Sequence, residues 1–267
     1  MAPESTLSVG SELESRAYSG LKSGTVPGSE LKARTKIRLT VKTMKTTIPI
    51  LFVDTASPPC RFVMMTVDLL GIEVSLRHID LFKRENLLDS YKKVNFLQKV
   101  PAMRVDEQTL VDSHAICLYL CEKYKTKSQN IYPQDVIIRN NIHEMLFYNS
   151  STLFPIDSAI FGDFFAGRDF VYEQRKWSAA MEYMEFRLRK HDWLAGDQIT
   201  ICDLCCGATI SSLELLIPLS EEHNILKNWM KRLRKQKCYI DNEHGLRRLE
   251  KYIQQMKHFR TVNGIVL

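Results

Sequence analysis

Apolar and polar positions change their rhythm several times along this chain. Residues 1 to 43 are rich in Ser, Gly and Thr with scattered charge, carry few large apolar side chains and sustain no period. Such a segment buries too little surface to offset its ordering entropy, so a flexible extension is expected there. Met44 stands just before the first compact stretch. From Thr46, TIPILFV is a short apolar run bounded by proline, which predicts a strand, and RFVMMTVDLLG places apolar residues at helical spacing up to Gly71. IEVSLRHI then alternates, with Ile72, Val74 and Leu76 on one face, and predicts a second strand. A short helical stretch over Glu85 to Lys93 follows. VPAMRV and TLV, separated by Asp-Glu-Gln, read as a hairpin, and DSHAICLYLCEKY opens on capping residues and continues at helical spacing.

Strand, helix, strand, helix, hairpin, helix within about 80 residues is a βαβ unit joined to a ββα unit, the thioredoxin-like arrangement. From Pro133 the pattern is helical throughout, with helices predicted over 134–165, 169–190, 201–216, 221–235 and 243–257. The expected architecture is therefore α/β plus all-α. A thioredoxin-like domain over 44–127 is followed by an all-helical domain over 133–258, with a tail over 259–267.

Composition narrows the function classes. With 267 residues, 45% of them hydrophobic, the chain can build a sizeable core. No apolar run approaches the roughly 20 residues that span a bilayer, and the first 30 lack a secretory apolar centre, so a cytoplasmic protein with no membrane partner is expected. Several glutamates in the extension argue against a transit peptide. Part of the net charge of +6 lies in KNWMKRLRKQK at 227–237, but stacking aromatics and reader motifs are missing, so a solvated helix face is expected and no nucleic-acid partner. The seven cysteines, an odd number without framework spacing, sit mostly in apolar periodic stretches and read as reduced and structural. Cys202, Cys205 and Cys206 have no second ligand pair at zinc spacing, so no metal is expected.

The candidate chemistry gathers at element ends. In SPPC, Ser57 stands at a helix start, and Pro58 and Pro59 suit a first turn whose donors would be orphaned. No Ser-His-Asp arrangement is evident, so the Ser57 hydroxyl reads as a donor to a bound thiolate, with helix-start amides behind it. Cys60, one turn inside the helix, reads as packing, with a thiol oxidoreductase as the competing possibility. Pro101 is expected to follow a cis peptide that turns the Val100 amide and carbonyl toward a peptide ligand. Ser113 reads as the cap of the next helix, a site for a carboxylate, with Asp112 beside it able to accept an ammonium. Thr200 and Asp203 predict a capping box.

In this order, SPPCR, DLFKRENL, VPAM, DSHAICLYLCEKY and IYPQD resemble the cytosolic glutathione transferases of the insect delta and epsilon classes, over residues 46 to 258. The resemblance implies a glutathione S-transferase, homodimeric, with glutathione as co-substrate. Ser57 becomes the residue that stabilises the glutathione thiolate, Val100 and Pro101 the backbone pair for its cysteine, and Asp112 and Ser113 the holders of its γ-glutamyl end, next to His114. Gln98 stands where an epsilon-type histidine reaches the glycine end. The second substrate is expected against Pro58, Leu81, Phe82, Phe154, Ser158 and Phe161, on a helix kinked by Pro155. LFPIDS, SSLELLIPLS and NEHGLRRLEKYIQQM resemble the noppera-bo type of epsilon transferase, which acts in ecdysteroid biosynthesis, and this implies that Asp157 hydrogen-bonds a steroid hydroxyl. The alternative is a non-catalytic carrier of a sterol or other hydrophobic ligand on the same fold.

Overall fold

The computed structural model describes residues 48–124 and 130–263. The extension expected over 1–43, together with Met44, lies outside the described residues. The α/β half begins with β1 (Ile50–Val53), α1 (Pro58–Leu69) and β2 (Ser75–His78), continues through a 3₁₀ turn (Glu85–Leu87) and the short α2 (Asp89–Lys92), and closes with β3 (Ala102–Val105), β4 (Gln108–Val111) and α3 (Ser113–Lys123). The sheet order is β2-β1-β3-β4. β1 runs parallel to β2 and antiparallel to β3, and β3 and β4 form the predicted hairpin. β1 sits in the middle because its alternation turns Leu51 and Val53 into the core. β2 is shorter than its alternation suggests. Its four residues are all exposed, as befits an edge paired on one side only.

The helical half comprises α4 (Val136–Tyr148), α5 (Phe154–Ala166), α6 (Val171–Arg187), α7 (Ile201–Leu213), α8 (Asn224–Arg234) and α9 (Tyr239–Val262). Two predicted helices differ in a way that matters. The single helix expected over 134–165 is broken by a π turn at Asn149–Leu153. Pro155, in the first turn of α5, has no N–H for the carbonyl one turn back, and the extra residue of a π turn absorbs that mismatch. α9 overruns its predicted limits at both ends and takes in residues 259–262, read from the sequence as tail. Tyr239 and Asn242 are buried at its start, and the buried Arg260 guanidinium donates to the Phe164 carbonyl near its end. The basic stretch at 227–237 is a solvated face as expected: Leu226, Trp229, Met230 and Leu233 point inward, and Lys231, Arg234, Lys235 and Lys237 are exposed.

All thirteen residues of α7 are buried, which makes it the axis on which the two halves pack. Its capping box is formed, and Asp203 accepts from Leu194 N and Trp229 Nε1, each at 2.9 Å, and from Thr200 N at 2.8 Å. Burial raises the Asp203 pKa and these bonds oppose the rise. Asp203→Asn keeps the shape and replaces an acceptor by a donor that faces other donors. It is expected to destabilise the fold by about 2 kcal/mol, read as a lower urea midpoint at unchanged slope.

α1 joins the halves, packing against α3 on one side and α7 and α9 on the other. Its fully buried Arg61 is the pin. Nε donates to Asn242 Oδ1 at 2.8 Å, Nη1 to the Ala56 carbonyl at 2.6 Å, and Nη2 to the Ala208 carbonyl at 2.9 Å and to Ser212 Oγ. Desolvation lowers the guanidinium to about 10, with the charge of Asp157 as the largest opposing influence.

Candidate active site

A cleft of about 520 Å³ opens where the ends of β1, β3 and β4 meet α5 and α7, and Ser57 lies on its wall. Ser57 has extended backbone and caps α1, yet its hydroxyl makes no capping bond. The free amides expected behind it are not there. Pro58 and Pro59 have no N–H, and the amides of Cys60 and Arg61 both donate to the Ser57 carbonyl at 3.1 Å. The donor this helix start can offer is therefore the Ser57 hydroxyl, backed by the helix dipole. Cys60 beneath it is completely buried. Burial pushes its thiol up to about 12, against a weaker opposing hydrogen bond with Ser57, so it is no thiolate near neutral pH. All seven cysteines are free and buried, and burial raises each thiol.

The second correction concerns the start of α3. Asp112, at φ 71°, is the cap, and Ser113 is the first helical residue. Asp112 Oδ1 accepts from the amides of His114 at 2.9 Å and Ala115 at 3.2 Å, with His114 Nδ1 at 3.3 Å. The His114 ring, followed by these amides, holds the carboxyl below the usual range despite partial burial. His114 Nε2 continues to Cys205 Sγ at 3.4 Å, Asn149 Nδ2 donates to the same sulfur at 3.1 Å, and Thr209 Oγ1 donates to Asn149 Oδ1 at 2.9 Å. Asn149, Cys205 and Thr209 line the cleft and were missed from sequence. The signal in the sequence is the polar run Asn149-Ser150-Ser151-Thr152, which interrupts the helical pattern ahead of Pro155.

Opposite lies the segment leading into β3. The Val100–Pro101 peptide is cis, as expected. Gln98, at φ 54°, is clamped by Asn86: its Nε2 donates to the Asn86 carbonyl at 3.2 Å, and Asn86 Nδ2 donates to the Gln98 carbonyl at 2.9 Å. One donor of the Gln98 side-chain amide is thus taken by Asn86.

Of the acceptor residues, Pro58, Leu81, Phe154 and Ser158 line the cleft. Phe82 does not. Asp80 Oδ1 accepts from the amides of Phe82 and Lys83, a turn that sends Phe82 away from Leu81 to stack on Tyr252 at 3.6 Å. Phe161 also stands off the wall, buried in the core against Phe165. Asp157 is 4% exposed and not solvent-facing, and its Oδ1 has no hydrogen-bond partner. Burial raises its pKa to about 8, with the Arg61 charge opposing the rise. Among the described residues no three His, Cys, Asp or Glu side chains gather as metal ligands, and no helix is long and apolar enough to cross a membrane.

Comparison with known proteins identifies the family. The sequence profile of the glutathione S-transferase N-terminal domain matches residues 51–128, and that of the C-terminal domain matches residues 162–237. Glutathione S-transferase 1 of Manduca sexta is 31% identical over 185 residues, 66% of this chain and 83% of the relative. The chain belongs to the glutathione S-transferase family. Solved transferases share its fold. A glutathione transferase homolog from Drosophila mojavensis, determined with bound glutathione, superposes with a TM-score of 0.74 at 27% identity, covering 78% of this chain and 97% of that one. An epsilon-class transferase from Musca domestica superposes at 0.73 with 25% identity, covering 78% and 98%. The transferase is accordingly an enzyme that uses glutathione, with a thioredoxin-like half followed by a helical half.

Proposed function

We propose that the cleft holds glutathione with its sulfur at the Ser57 hydroxyl, and that the apolar floor beside it accepts a steroid-like molecule carrying a hydroxyl. In this reading Ser57 donates to the thiolate and Val100 pairs through its backbone with the cysteine, next to Pro101. Asp112 and Ser113 take the γ-glutamyl end beside His114, while Gln98, locked to Asn86, shapes the glycine end. The thiolate attacks an electrophilic carbon of the acceptor, the C–S bond forms as the leaving group departs with its electron pair, and the proton has already left the thiol.

The observation that supports the steroid reading is the buried Oδ1 of Asp157, which has no hydrogen-bond partner; Asp157 is not itself on the cleft wall but lies on α5 between Phe154 and Ser158, which are. An unpaired buried polar group costs stability, and a ligand hydroxyl that satisfies it is selected strongly over an analogue without one. That selectivity suits a transferase of the noppera-bo type in ecdysteroid biosynthesis. Family membership favours turnover over silent carriage. The division at 44–127 and 133–258, a homodimer and a cytoplasmic setting belong to the same proposal.

A hydroxylated steroid titrated against wild type and Asp157→Ala tests it: about tenfold weaker binding is expected in the variant, and equal affinities remove the anchor. The same carboxyl has a pH signature. Its folded pKa is raised, so its contribution to stability is full below about pH 4 and is lost as pH rises through about 8. Asp157→Asn abolishes that decline, and thermal melts of the two proteins across this range should diverge above about pH 5.

A further inference from the structure

One carboxylate stands behind two parts of the cleft. Asp54, just past the end of β1, is wholly buried. Its Oδ1 accepts from the Ala56 amide at 2.9 Å and its backbone carbonyl from the Ser57 amide at 3.0 Å, so it closes the turn that ends at Ser57. Its Oδ2 accepts from the Leu81 amide at 2.9 Å, and Leu81 lines the same cleft as Ser57. The cation for this carboxylate comes from α9, which puts no residue of its own on the cleft wall among those described. Arg248 Nε donates to Asp54 Oδ1 at 2.9 Å and Nη2 to Oδ2 at 3.1 Å, a bidentate pair. Nη2 also lies 3.2 Å from Asp80 Oδ1, the oxygen that accepts from the Phe82 and Lys83 amides, and the guanidinium sits 5.0 Å from the centre of the Phe82 ring. One side chain from the helical half thus holds both turns, 54–57 and 80–83, that carry Ser57 and Leu81. The Arg248 side chain is 30% exposed and that of Asp54 0%. Removing the guanidinium leaves a buried carboxylate short of its bidentate cation, which the two turns must absorb by moving.

We propose that Arg248 is a positioning residue of the transferase: through Asp54 it fixes the Ser57 hydroxyl against the bound sulfur and, from the same carboxylate, the Leu81 wall against the acceptor. This rests on the placement of the sulfur at Ser57 proposed above. Arg248 touches neither substrate, and its effect on the reaction passes through Ser57 and Leu81.

The test follows kcat/KM for chlorodinitrobenzene against pH at saturating glutathione, which reports the ionisation of the bound thiol. It uses the full chain as wild type, Arg248→Met, Arg248→Lys and, as control, Arg247→Met, whose parent side chain is exposed. In Arg248→Met the midpoint is expected to rise by about half a unit, a fraction of what loss of the whole Ser57 bond costs. KM for the acceptor rises about threefold in the same variant, because the Leu81 wall loosens with the turn. Arg248→Lys keeps the charge and loses the fork, so it falls between wild type and Arg248→Met; if Arg248→Met does not fold, this intermediate shift decides alone. Arg247→Met coincides with wild type. Adding Arg248→Met to Ser57→Ala moves the midpoint no further, because the group it positions is gone. A wild-type midpoint in Arg248→Met, or in Arg248→Lys where that variant decides, overturns the assignment, as does an equal rise with and without the Ser57 hydroxyl. If the sulfur does not lie at Ser57, Ser57→Ala itself keeps the wild-type midpoint; if only Arg248 is wrong, Ser57→Ala raises it and Arg248→Met does not.

Discussion

Ser57→Ala is expected to slow conjugation of chlorodinitrobenzene by about 10- to 100-fold near pH 6.5, with KM for glutathione changed less than threefold. The size follows from what α1 can offer at its start. Pro58 and Pro59 contribute no donor, and the Ser57 carbonyl consumes the next two amides, so removing the hydroxyl leaves the thiolate with the dipole alone. A hydrogen bond to a charged partner is worth about 1.5–3 kcal/mol, which is about one to two decades in the thiolate fraction. The loss should shrink as pH rises, because above about pH 9 the thiol ionises unaided and a more basic thiolate attacks somewhat faster. Ser57→Thr, which keeps a donor, should recover part of the rate. Cys60→Ser should retain most activity, since the Cys60 thiol is buried and held at about 12.

The largest effect on stability is expected from Gly245→Ala. Gly245 lies where α9 crosses the entry to α1, and a Cβ there would sit 2.1 Å from the Thr55 carbonyl oxygen and 2.4 Å from Arg61 Cδ. Neither neighbour can yield cheaply. The carbonyl is backbone, and Arg61 is tied to Asn242, Ala56, Ala208 and Ser212. Overpacking of this kind costs about 3 kcal/mol, a fall of roughly 10 °C in Tm for a chain this size. Activity should fall beyond the loss of folded protein, because the 55–56 segment that must move leads directly into Ser57. Gly207→Ala gives the contrast. Its Cβ meets Leu233 Cδ2 at 2.1 Å, the far end of a flexible side chain, so a cost of about 1 kcal/mol is expected there. Equal melting temperatures for wild type and Gly245→Ala would show that α9 does not press on α1.

The two periodicities carried the fold from sequence. Strands near 50, 75, 102 and 108 and a wholly helical second half were legible because each element buries one face. The start of α1 was legible because a serine followed by two prolines cannot lie inside a helix and suits its first turn. Direction within turns was not legible. Whether Leu81 or Phe82 faces the cleft depends on which amides Asp80 binds, and whether Asp112 or Ser113 caps α3 depends on a backbone with positive φ at Asp112. Neither leaves a periodic trace. The same holds for Asn149, Cys205 and Thr209, brought to His114 by packing of α7 against a break in the chain that the proline signalled only as a kink.

The most direct measurement is a pH titration of the thiolate absorbance of glutathione bound to wild type and to Ser57→Ala. The expected midpoint in wild type lies at least about one unit below the roughly 8.5 of a free thiol, and in Ser57→Ala it returns to within a few tenths of that value. Coincident midpoints in the two proteins would contradict the assignment of the Ser57 hydroxyl as the group that holds the nucleophile.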